Sequence, residues 1–145
     1  MSYNPRLTTA SVNAAMGDGT HNGLSAYISS SSKLAIYTGS QPSWSSSEVV
    51  PAGSLLATLT AAGTFSTATA GVLTATGSPH PYVSAAATGS GTTGCFVALL
   101  SDGTTPYMDG TSGQTSGYDL NFDDDVIVSG GTTVISSMTI TLSPH

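Results

Sequence analysis

Charge is what this chain has least of. Only 7% of its 145 residues are Asp, Glu, Lys or Arg, where about 25% is usual. Arg6 and Lys33 are the only formal cations against eight carboxylates, for a net charge of -6. Neutralising phosphates takes several Lys or Arg residues, so nucleic acid and anionic membrane are excluded as expected partners. Cysteine is equally scarce. Cys95 is single, which rules out an internal disulfide framework and a multi-thiolate zinc site. It sits in the apolar run "CFVALL" and reads as a small buried hydrophobe. No apolar run approaches the roughly 18 residues of a membrane span, and no basic-then-apolar signal segment opens the sequence. The expectation is a soluble chain without an export signal.

Catalytic motifs are missing as well. His21, His80 and His145 are widely spaced, with no HExxH and no Cys–His cluster. "GTSGQ" is not a G-x-S-x-G elbow. "GSGTTG" lacks the Lys of a phosphate-binding loop and reads as a turn. No catalytic residue and no cofactor is expected, and a hydrolytic enzyme ranks below every binding role.

What is present is Ser, Thr, Gly and Ala around short apolar segments, with a mean hydropathy of +0.15. Such a polar surface loses little side-chain entropy when it is ordered against a partner. Residues 1–19 read as an extended N-terminal arm and residues 20–145 as one domain. Leu24, Tyr27 and Ile28 fall at i, i+3, i+4 behind the capping residues Thr20 and Asn22, predicting a short helix, the only one expected. The rest reads as strand and turn. "KLAIYTG" and "SLLATLT" alternate, and "GTFSTA" and "GVLTATG" are short segments. "GCFVALL" is apolar enough for a central strand covered on both faces. "SDG" turns it into "PYMDG" as a hairpin. Pro79 and Pro81 demote "PHPYVSAAATG" to an edge or loop. The last strand, "TTVISSMTITL", alternates Val134, Ser136, Met138, Ile140 and Leu142. About eight short strands with Gly-rich turns predict an all-β sandwich or barrel.

The acidic stretch from Tyr107 to Gly131 carries five carboxylates. Asp119, Asn121 and Asp123 match the first positions of a calcium loop and are the candidate metal ligands. The match then fails, because Asp124 stands where the sharp-turn Gly belongs and Gly130 where the bidentate Glu belongs. Alternation instead sets Leu120 and Phe122 on one face of a strand, with the polar row and the Asp123–Asp125 run outward.

Six segments, "LAIYTGSQP", "LLATLT", "GVLTAT", "MDGTSG", "DLNF" and "ISSMTITL", in this order from about Leu24 to Leu142, resemble a family of small tailed-bacteriophage virion proteins. The resemblance implies a two-sheet, jelly-roll-like β-sandwich acting as a capsid decoration (cement) protein. Its implied place is the capsid exterior of the virion, and its implied partners are the major capsid protein and its own copies, as a homodimer or homotrimer. In that setting the arm would lie across neighbouring capsid subunits. The alternative is a tail or fibre component binding host-surface carbohydrate, with Trp44, Tyr82, Tyr107 and Tyr118 as stacking platforms. The arm, the insertion-like "SPHPYVSAAATGSGTT" and the triple Asp depart from the family pattern.

Overall fold

The computed structural model describes residues 6–16, 23–28, 30–42, 51–66, 69–84, 86–114 and 116–141. The chain begins with β1 (Arg6–Leu7), α1 (Thr9–Met16) and α2 (Leu24–Ile28). The alternating segments then become β2 (Lys33–Tyr37) and β3 (Leu55–Ala61). Three short strands follow, β4 (Val72–Thr74), β5 (Tyr82–Ser84) and β6 (Gly91–Thr92). The apolar run forms β7 (Cys95–Leu99), and "PYMDG" opens the nine-residue β8 (Pro106–Gln114). The chain closes with β9 (Leu120–Phe122), β10 (Val126–Ile127), β11 (Val134–Ile135) and β12 (Thr139–Thr141). The molecule is mostly β, as expected.

The main sheet runs β1-β8-β7-β2-β3-β5-β11, with β9 added to β8. All its pairings are antiparallel except that of β9, which lies parallel to β8. Two ribbons, β12 with β4 and β10 with β6, complete the strands. Register decides which side chains meet. Leu34 and Ile36 of β2 pair with Ala98 and Phe96 of β7 and with Leu59 and Ala57 of β3, so all six share one face. That face joins Leu73, Ile127 and Ile140 of the ribbons in a single apolar cluster. The β7–β8 turn is as read: Gly103 takes φ 73° and Asp102 accepts the amides of Thr104 and Thr105. The Thr105 hydroxyl, then those amides, hold the Asp102 carboxyl down to about 2.

Five expectations are corrected. Over residues 6–16 there is no extended arm, and there are two helices rather than one. Thr8 caps α1 by accepting the Ser11 amide, and α1 buries Ser11 and Ala14. The Ser11 hydroxyl donates to the Tyr107 carbonyl at 2.9 Å. The helix around Leu24 is short, as expected, and buries Leu24 and Ile28.

β5 is neither edge nor loop, since β3 and β11 flank it. Its prolines precede the strand, so their missing N–H groups cost no ladder bond, and the Pro81 carbonyl accepts from Ala62. The last strand is two strands in different sheets. Exposed Ser136 and Ser137 break the alternation, so Ile135, Met138 and Ile140 point inward in place of Val134 and Ser136. Finally, "GSGTTG" contains β6, and its last glycine is required because a Cβ on Gly94 would lie 2.0 Å from the Gly39 carbonyl oxygen. Thr20, Asn22, Trp44 and Leu142 lie outside the described residues.

The N-terminal segment is fastened by a buried charge. Arg6 forks onto Asp109, with Nε donating to Oδ1 at 3.0 Å and Nη2 to Oδ2. Nη2 also donates to the Pro42 carbonyl, and Gln41 Nε2 reaches Oδ1 at 3.4 Å. Asp109 is fully buried. Removing one member of such a pair strands a charge, so Arg6→Ala is expected to cost about 3 kcal/mol, a fall in Tm of ~6–12 °C. The double variant Arg6→Gln/Asp109→Asn, which removes both charges, is expected to recover more than half of that loss in a thermal melt.

Candidate binding groove

The sheet and the C-terminal strands enclose a groove of about 630 Å³. Leu34, Phe96 and Met108, on the apolar face of β2, β7 and β8, lie along it. Residues 118–123 line one side and residues 134–141 the other. Close packing builds its base, since a Cβ on Gly110 would come within 2.6 Å of the Phe96 ring. Glycine in "MDG" therefore gives Phe96 its seat.

All three candidate metal ligands stand on this groove, but two of the three side chains are engaged locally. Asp119 Oδ2 accepts the amide and the hydroxyl of Thr111, both at 2.8 Å. Asn121 closes on Tyr118, accepting its amide at 3.3 Å and donating to its carbonyl at 2.9 Å. Asp123 is exposed, and its carbonyl accepts from Gln114. Among the described residues, no three His, Cys, Asp or Glu side chains converge on a point where a metal could be held. Leu120 is buried and Asn121 exposed, as the alternation predicts. Ser136, Thr139 and Thr141 line the groove beside its apolar residues.

The aromatic candidates separate by burial. Tyr82 and Tyr107 are fully buried and cannot offer a ring face to a sugar. They belong to a hydroxyl cluster, in which Ser32 Oγ lies 2.7 Å from Tyr82 Oη, and Tyr82 Oη 3.5 Å from Tyr107 Oη. Burial pushes both phenols above the ordinary tyrosine value. Tyr118 is half-buried, its ring packed over Gly113. Trp44, His21 and His145 lie outside the described residues, and His80 is in the loop ahead of β5.

The Arg6–Asp109 pair was not legible as a site. Its one signal was an arginine standing close to Leu7 in a chain with two formal cations. Cys95, as expected, is buried. Compared with protein-family models, curated proteins and solved structures, the chain matches none of them.

Three outcomes are expected here. The melting temperature should be the same in calcium and in chelator, because Asn121 and Asp119 Oδ2 already have partners; a rise with calcium would assign the buried, unpartnered Asp119 Oδ1 to an ion. The Cys95 thiol is pushed up from 9.0 to about 11 by burial and, secondarily, by Asp109. The native chain should therefore resist iodoacetamide at neutral pH and react once unfolded. The folded thiol holds its proton more tightly than the unfolded one. Its contribution to stability is thus whole below about pH 9 and is lost as pH rises through about 11. Cys95→Ala should flatten that part of the alkaline stability profile.

Proposed function

We propose that this chain is a structural virion protein of a tailed bacteriophage, a decoration protein that binds the outer surface of the major capsid protein lattice and stabilises the head. One observation carries the reading. The six segments that resemble the phage family join two by two across ladders. "LAIYTG" and "LLATLT" are the neighbours β2 and β3, "MDGTSG" and "DLNF" hold β8 and β9, and "GVLTAT" and "ISSMTITL" hold β4 and β12. Residues that are mutual partners specify one framework, so likeness in all six is likeness in a fold rather than in scattered strings.

The finer architecture belongs to the same proposal. The main sheet is one layer of a jelly-roll-like sandwich, and the ribbons β4–β12 and β6–β10 supply the facing layer over the shared core. A surface of Ser, Thr and Gly orders against a partner at small entropic cost. Weak contacts repeated over a symmetric shell add through multivalency. The assembled unit would be a homodimer or homotrimer at the shell's local symmetry axes.

The test is addition of purified protein to heads that lack it. Saturation at hundreds of copies per head, with heads more resistant to heat, is the expected result. A handful of copies confined to the tail would overturn it.

A further inference from the structure

We propose that the open edge formed by β10 and β11 docks an extended segment of another polypeptide, which adds there as a strand and places cationic residues against Asp123 and Asp124. The inference deepens the decoration reading and rests on it only in taking that polypeptide to be the shell protein.

Three large apolar side chains collect at this edge. Val126 is 52% exposed, Val128 63% and Val134 38%. All three line one hollow of about 370 Å³. Phe122, Asp123, Val134 and Ser136 line both this hollow and the larger groove, so the two adjoin. Among the described residues β10 pairs only with β6 and β11 only with β5. Each therefore keeps one side without a neighbouring strand, although the Val126 amide of β10 is already given to Asp124 Oδ1. Exposed β-branched residues beside an open edge are the features by which an added strand binds, with ladder bonds for register and side-chain seats for selectivity.

Charge decides the occupant. Asp123 and Asp124 are exposed and line the same hollow. A second copy meeting this one edge to edge would bring no cation to them. Arg6 is committed to Asp109, and Lys33 lies on β2, with β3 and β5 between it and β11. Copies meeting edge to edge would set Asp against Asp, in a chain already at -6. A different polypeptide, with Lys or Arg flanking apolar β-branched residues, meets both the valines and the carboxylates.

The probe is a short fluorescent peptide in which Val alternates with Thr between flanking lysines, compared with the same peptide flanked by glutamates. The Lys-flanked peptide should bind about tenfold tighter, lose affinity as salt rises, and protect the amides of residues 126–135 from exchange. Val126→Glu/Val128→Glu, both at exposed positions, should abolish binding without lowering the melting temperature, and Asp123→Lys should narrow the preference for lysine. Equal binding of the two peptides, protection elsewhere, or undiminished binding by the valine variant would overturn the proposal. So would sedimentation showing that the wild type self-associates and the valine variant does not, which would make the edge an interface between copies. Heads separate the two claims. Peptide binding without head binding keeps this site and removes the decoration reading. Heads that retain wild type and valine variant equally keep that reading and remove this site.

Discussion

A buried carboxylate organises one whole side of this molecule. Asp109 sits within the sheet on β8, fully shielded from water, where an unpaired charge would cost several kcal/mol. Only two formal cations exist in the chain, and one of them, Arg6, is spent here with both arms of its fork. Meeting that demand places β1 on the edge of β8, with Leu7 opposite Met108. Thr8 then donates its amide to the Tyr107 carbonyl and starts α1, which packs on α2 and β8. Gln41 and Pro42 close on the same charges. Three stretches distant in sequence are thereby fixed by one ion pair.

The same event makes the sheet asymmetric. Beyond β1 on the outer edge of β8, Ser112 to Gln114 are taken by β9 running parallel. β1 and β9 share that side, each with β8 as its only strand partner among the described residues. On the far side β11 has β5 as its only strand partner among the described residues. Arg6 is thus drawn inward at the β8 side, while Asp123 and Asp124 remain in water beside the hollow at β11. A charge-poor surface would otherwise carry little information about orientation; here its few charges give it a direction.

How much of this was legible depended on how each element is buried. The strands β2, β3 and β7 bury large aliphatic side chains and so display alternation or a continuous apolar run. α1 buries Ser11 and Ala14, small side chains that leave no apolar stripe, while its larger Val12 and Met16 face outward. Its only local signal was the Thr8 cap. β5 was disguised by prolines that lie just outside it, and the β11–β12 break by two serines that shift the phase of an otherwise regular pattern. The groove was invisible for another reason. Its floor and two sides come from residues up to about a hundred positions apart, joined only by register.

The carboxylates of the acidic stretch from Tyr107 to Gly131 differ in the donors that the fold supplies to them. Asp109 receives a guanidinium fork and an amide and is fully buried. Asp119 receives the amide and hydroxyl of Thr111 and is half-buried. Asp124 accepts the amide of Val126 alone and stays exposed. A carboxylate oxygen that enters a low-dielectric interior without a donor does so at a cost, as the buried, unpartnered Asp119 Oδ1 does. The run at 123–125 stays at or near the surface, with Asp123 and Asp124 exposed and Asp125 half-buried. What holds it beside Val126 and Val128 is the turn that Asp124 itself ties, so hydrated charge and exposed apolar surface are kept adjacent by the same hydrogen bond.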